Sequence, residues 1–189
     1  MSMRKVALFM MVSLDGFFEG VDHEFDWHNV DEEFEDFAAK QLGDADVLLF
    51  GSKTYQMMVD YWTTAIAKDR DPVIAGFMNS MPKLVFSRTL RAAEWQNTQI
   101  VKNHVVEEIR KLTQQPGKDL LVLGSNNLSV SLLEMGLLDE IRVMLAPVLI
   151  GCGNSLFVGL SSRFKLHLAA SREFQSGNVL LTYQRQRKR

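Results

Sequence analysis

Three short stretches of this chain place glycine, hydroxyl and cationic or amide residues where an apolar run stops: Gly51-Ser52-Lys53-Thr54, Ser87-Arg88-Thr89 and Gly124-Ser125-Asn126-Asn127. These types suit an anion. Glycine lets the backbone approach a phosphate, hydroxyls donate to its oxygens, and Lys or Arg adds full charge. A helix that starts at such a point contributes free N–H groups and the positive end of its dipole. Each stretch alone is also an ordinary turn or helix cap. Three at the strand ends of one sheet would grip a long ligand with several phosphates, such as a dinucleotide. The Gly-x-Gly-x-x-Gly fingerprint is absent, and Gly51-Ser52-Lys53-Thr54 lacks the upstream glycine of a P-loop, which disfavours phosphoryl transfer.

The elements that must hold these stretches follow from hydropathy spacing. Residues 5–12 read as a buried strand. Over 31–42, Phe34, Phe37, Ala38, Gln41 and Leu42 fall on one helical face; Asp31 can cap the start, and Glu32 and Glu33 suit the dipole there. Strands are expected over 46–50, 83–86, 99–101, 119–123 and 140–149. Helices are expected over 54–67, 105–114 and 127–135, with Gly136 as a C-cap, and a short one opens at Asp71-Pro72. Pro147 inside the long strand suggests an edge or a bulge. Residues 164–174 and 178–184 alternate about Ser176-Gly177, a hairpin. Alternating strands and helices imply an α/β fold. We expect one domain over 1–189, a three-layer α/β/α sandwich with a mixed, mostly parallel sheet and a C-terminal antiparallel hairpin. In such sheets ligands bind beyond the carboxyl ends of the strands.

Composition narrows the function. The chain has 189 residues, enough to bury roughly 70% of its unfolded surface. Lys plus Arg total 21 against 23 for Asp plus Glu, a net charge of −2 that argues against a general nucleic-acid binder. The single cysteine, Cys152, excludes a disulfide framework and reads as a structural thiol between two glycines. The apolar run 6–12 is far short of the ~20 residues that span a bilayer, and Ser13-Leu14-Asp15-Gly16 follows it with no cleavage pattern. A cytoplasmic protein without membrane contact is expected.

The stretches together carry a resemblance. Ser13-Leu14-Asp15-Gly16, Gly51-Ser52-Lys53-Thr54-Tyr55, Phe86-Ser87-Arg88-Thr89-Leu90 and Leu123-Gly124-Ser125-Asn126 resemble dihydrofolate-reductase-like proteins. Leu137-Leu138-Asp139-Glu140-Ile141 and Ala146-Pro147-Val148-Leu149-Ile150-Gly151 resemble the riboflavin-biosynthesis reductase domain, the RibD C-terminal domain, in its stand-alone form. The match runs over about residues 4 to 185.

This resemblance implies an NADPH-dependent reductase that passes a hydride to a small heterocycle, pteridine-like or a ribosylaminopyrimidine. Gly51, Ser52, Lys53 and Thr54 would lie near the cofactor phosphates. Ser87 and Arg88 would meet the adenosine 2′-phosphate, favouring NADPH over NADH. Gly124, Ser125 and Asn126 would approach the pyrophosphate, with Ser125 standing where the family more often has a second glycine. The loop from Asp15 to Gly20 would cover the nicotinamide, Gly20 beside the cofactor and Asp15 and Phe18 toward the substrate. The family's acid on the first helix falls on Glu35 or Glu32, depending on the direction of counting. On a helical wheel with Phe34 at zero, Glu35 lies at about 100°, beside Leu42 at about 80°, and Glu32 at about 160°, in solvent. Glu35 is the better substrate-facing acid, with a solvated glutamate as its bland alternative; the product's proton would come from it or from water. Trp27 would stack on the substrate or anchor the loop.

Two alternatives remain: dihydrofolate reduction proper, or a nucleotide-binding or assembly module of the same fold without turnover. Asp22, His23, Asp26 and His28 read as loop polarity rather than a metal cluster. The tail residues Arg185, Arg187, Lys188 and Arg189 read as a solvated end. The apolar Leu156-Phe157-Val158 reads as exposed and suggests a homodimer.

Overall fold

The computed structural model describes residues 4–185. Its main sheet has eight strands in the order β5-β4-β3-β6-β1-β7-β10-β9. These are β1 (Val6–Ser13), β3 (Ala45–Gly51), β4 (Lys83–Phe86), β5 (Thr98–Val101), β6 (Asp119–Leu123), β7 (Glu140–Ala146), β9 (Leu166–Glu173) and β10 (Val179–Arg185). A separate pair, β2 (Phe17–Glu19) and β8 (Asn154–Ser155), lies outside it. Six strands, β1 and β3 to β7, run parallel; β10 and β9 close the sheet as an antiparallel hairpin. Gly177 forms the hairpin turn at φ +86°, a backbone angle that favours glycine.

Among the described residues the six helices are α1 (Glu32–Gly43), α2 (Ser52–Trp62), α3 (Ala65–Arg70), α4 (Pro72–Ser80), α5 (Val105–Thr113) and α6 (Asn126–Glu134). Strand alternation divides them between the two faces. Ala7, Phe9 and Met11 of β1 pack with Ala38 and Leu42 of α1, Tyr55 of α2 and Met78 of α4. Val6, Leu8, Met10 and Val12 pack with Ile109 of α5 and Leu132 and Leu133 of α6. All eight residues of β1 are buried, as a central parallel strand between two helical layers requires. The three-layer sandwich with its mixed sheet is therefore observed.

Local chemistry moves some boundaries. The helix expected over 54–67 starts earlier and breaks in two. The Thr63 hydroxyl donates to the Val59 carbonyl and that of Thr64 to the Tyr61 carbonyl, closing α2. Thr64 Oγ1 then accepts from the Ala67 N–H and opens α3. The strand expected over 140–149 ends at Ala146, because Pro147 has no N–H for a ladder. β7 is neither an edge nor bulged there; it pairs with β1 and β10. Leu156 and Phe157, expected as an exposed patch, are partly buried against the α5–α6 side, leaving Val158 exposed. Arg187, Lys188 and Arg189 lie outside the described residues; Arg185 sits over the Phe164 ring at 5.7 Å.

Candidate functional site

Parallel register brings the strand ends together. Gly51 pairs with Phe86, Phe86 with Val101, Leu49 with Val122, and Phe9 with Leu123. The residues that follow β3, β4, β5 and β6 therefore share one edge of the sheet. They open into a cavity of about 1770 Å³. Pockets for one small ligand run about 300–1,000 Å³, so this one has room for two.

The helix starts at this edge differ from the others. Asp31, Thr64 and Asp71 side chains accept from the first turns of α1, α3 and α4. No side chain caps α2, α5 or α6, which begin after Gly51, His104 and Ser125. All three line the cavity at their first residues. Their leading N–H groups are open to a ligand. The backbone is shaped to the same end. Gly124 has φ +61°, and a Cβ there would come within 3.2 Å of Thr54 Cγ2. Ser125 keeps a left-handed conformation, φ +60°, and its Oγ accepts from the Gly51 N–H at 2.9 Å, tying the β3 and β6 tips together.

Three cations, Lys53, Arg88 and Lys102, line this end, with the carboxylates of Glu19 and Glu107. Arg88 is exposed on the cavity and makes no ion pair among the described residues. Ser87 Oγ accepts from the Leu90 N–H at 3.0 Å, which orders the turn carrying Arg88. Lys102 and His104 line the wall beside it. Lys53 reaches across the mouth: its Nζ is 3.5 Å from Glu19 Oε1 and 3.0 Å from the His23 ring. Asn154 donates to the same Glu19 oxygen at 2.8 Å.

The other end is apolar. α1, α2 and α4 wall it with Ala38, Leu42, Met58, Trp62, Ile74 and Met78. Glu35 lines it from α1, half-buried, whereas Glu32 is exposed and off the wall. His28 lines it from the preceding loop, and burial pushes its imidazole down to about 4, so it is neutral at pH 7.

Comparison with known proteins adds to this geometry. The family model described as the RibD C-terminal domain matches residues 4–180. The chain belongs to the RibD C-terminal domain family. It is 34% identical over 186 residues to the uncharacterized protein YyaP of Bacillus subtilis (strain 168), covering 95% of this chain and 94% of that protein. The uncharacterized protein YwjB of the same organism is 24% identical over 175 residues, 90% of this chain and 92% of the other. Among solved structures, a putative riboflavin biosynthesis protein from Shewanella sp. PV-4 superposes with a TM-score of 0.75 at 24% identity, covering 97% and 99% of the two chains. A diaminohydroxyphosphoribosylaminopyrimidine deaminase/5-amino-6-(5-phosphoribosylamino)uracil reductase from Thermotoga maritima gives 0.69 at 18% identity, over 97% of this chain and 57% of that one. The fold is thus that of riboflavin-pathway reductases.

Within this RibD-type fold, the cavity gathers Phe18, Glu35, Gly51, Ser52, Lys53, Thr54, Ser87, Arg88, Gly124, Ser125 and Asn126 of the residues singled out by sequence. Asp15, Gly20 and Trp27 lie off its wall. The Asp15 carboxylate accepts from the N–H groups of Gly151 at 2.8 Å and Ile150 at 3.3 Å. Hydrogen bonding from the Ser13 hydroxyl, then from these amides, holds it below the usual carboxylate range. Gly20 is buried and donates to the Glu24 carbonyl within its own turn. Trp27 packs on the core and meets His28 edge to face at 4.5 Å. Lys102, Asn103 and His104 follow strand β5 as the other tips follow theirs; the first two carried no signal in the sequence, and His104, which reads there as a helix cap, makes no side-chain cap hydrogen bond. Gln41 reads in the sequence only as a helix-face residue.

Proposed function

We propose that this protein is an NADPH-dependent reductase that passes a hydride to a small nitrogen heterocycle. The observation that carries the reading is the convergence of three uncapped helix N-termini, those of α2, α5 and α6, on one cavity. An elongated polyanion satisfies all three sets of N–H groups at once. Gly51, Ser52 and Thr54 at the start of α2, and Gly124 to Asn126 at the start of α6, hold the phosphates. Ser87 and Arg88, joined by Lys102 and His104, meet the 2′-phosphate end. Bound there, the dinucleotide supplies a hydride. Phe18 and the apolar wall exclude water from the second ligand. Glu35 faces that ligand and orients it through a hydrogen bond, and the proton that completes reduction reaches the substrate nitrogen from Glu35 or a water beside it.

We also place the dimer contact at β9. This edge strand is exposed along seven of its eight residues, and an uncovered edge of that length invites pairing with a second copy. Light scattering of the purified chain tests it: a monomer at all concentrations removes the proposal.

Calorimetry with NADPH, followed by cofactor oxidation over a panel of pteridines, aminopyrimidines and related heterocycles, tests the main reading. Binding with oxidation in at least one case is expected. Binding with no turnover across the panel favours a nucleotide-binding module, and no binding removes the reading.

A further inference from the structure

The two ends of the cavity differ in charge as well as shape. Lys53, Arg88 and Lys102 stand at the strand-end side with the three open helix starts, and Glu19 and Glu107 line it beside them. The chamber between α1, α2 and α4 has Glu35 and Asp71 among its lining residues and, as its cation among the described residues, Arg70, which is exposed. Asp71 is already committed, accepting from the Ile74 N–H at 2.9 Å. A phosphate ester placed in the chamber would therefore meet an acid, an apolar wall and a single exposed cation, whereas three cations and the three open helix starts lie at the opposite end.

Two residues lining the chamber, His28 and Gln41, each carry a buried polar atom without a hydrogen-bond partner, and Gln41 is the one set in the helical wall. Gln41 of α1 is 5% exposed, lines the cavity between Ala38 and Leu42, and its Oε1 has no hydrogen-bond partner. A buried amide oxygen left alone destabilises the fold, and the apolar neighbours would accommodate Leu or Met at this position. Rotation about the terminal torsion exchanges its donor and acceptor ends, so the amide can serve either partner of a ligand's lactam group.

We propose that the α1–α2–α4 chamber takes an uncharged nitrogen heterocycle that bears an apolar arm and no phosphate, and that the Gln41 amide selects it by hydrogen bonding. This deepens the reductase reading and rests on it in one respect: the dinucleotide occupies the cationic end. The class differs from the phosphoribosyl compound in the name of the Thermotoga maritima protein.

The test uses a matched pair of probes, a benzyl-substituted quinoxalinone and its phosphonomethyl counterpart, titrated calorimetrically into the whole chain with and without saturating NADP⁺. The benzyl probe is expected to bind at least about tenfold more tightly. Gln41→Leu should weaken the benzyl probe about tenfold, the loss of one buried hydrogen bond. It should leave NADPH affinity within about twofold and keep the urea midpoint equal or raise it, since an orphaned acceptor is removed. Gln41→Met, which keeps the side-chain length, should behave alike if the leucine variant folds poorly. Equal or tighter binding of the phosphonate, no binding of either probe, or benzyl binding untouched in both variants overturns the proposal. Heat with NADPH but none with the probes overturns the chamber assignment alone, whereas absence of NADPH heat overturns the dinucleotide reading.

Discussion

Ser125 shows how one residue balances two demands. Its left-handed backbone costs a non-glycine residue about 1–2 kcal/mol, and its Oγ regains about 1 kcal/mol by accepting from the Gly51 N–H. A glycine there would relieve the first and lose the second. Arg88 has no such structural duty. It is exposed and without an ion pair among the described residues, so Arg88→Ala should leave stability nearly unchanged, weaken NADPH by about tenfold or more and barely affect NADH. Calorimetry with both nucleotides checks this, and equal losses would take Arg88 out of the 2′-phosphate role. His28 carries a pH dependence. Burial lowers its imidazole to about 4 from the free value of 6.5, so between those two values the unfolded chain takes up a proton that the folded chain refuses. Its contribution to stability is thus full above pH 6.5 and lost as pH falls toward 4, by at most about 1.4 kcal/mol per pH unit. Urea midpoints measured across that range should fall less steeply in His28→Phe; an identical slope would show that another group controls the acid limb. At this scale the sequence was informative where a side chain's role depends on its neighbours along the chain. Arg88 follows a strand and Glu35 lies on a helix edge, and both line the cavity. Asp15 and Trp27 were harder to place, because their partners, Gly151 and the buried core, are set by tertiary contacts.

Elements explain why the site keeps its shape. The Asp15 carboxylate clasps the backbone N–H groups of Ile150 and Gly151, more than 130 residues away along the chain, and so fixes the β1 exit loop against the loop that follows β7. Beside it, β2 and β8 pair across the same two loops. Asp15→Ala should raise amide hydrogen exchange at Ile150 and Gly151 by about tenfold or more while leaving β1 protected; unchanged exchange would show that β2–β8 pairing suffices. Neither β2 nor β8 was expected from sequence, since segments of three and two residues carry no usable period. The long strands were easy to find, β1 through its unbroken apolar run and β6 through Leu120, Leu121 and Val122. The break between α2 and α3 was not, because hydropathy continues through it and only the two threonine hydroxyls decide it.

For the whole molecule, burying β1 on both faces forces helices onto both sides. The register of six parallel strands then sends every strand-to-helix turn on one edge into the same cavity. The fold class was legible because alternation of strands and helices is a property of the chain itself. The cavity was legible only as an inference, since which tips become neighbours depends on strand order, and β6 lies between β3 and β1. On the proposed reading, three helix starts far apart in sequence hold one anionic ligand. Amide NMR shifts on adding NADPH test it most directly. Simultaneous, saturable shifts are expected at Ser52 and Lys53, at Val105 and Val106, and at Asn126 and Asn127, with one shared dissociation constant. Shifts confined to a single helix start, or none at all, would contradict it.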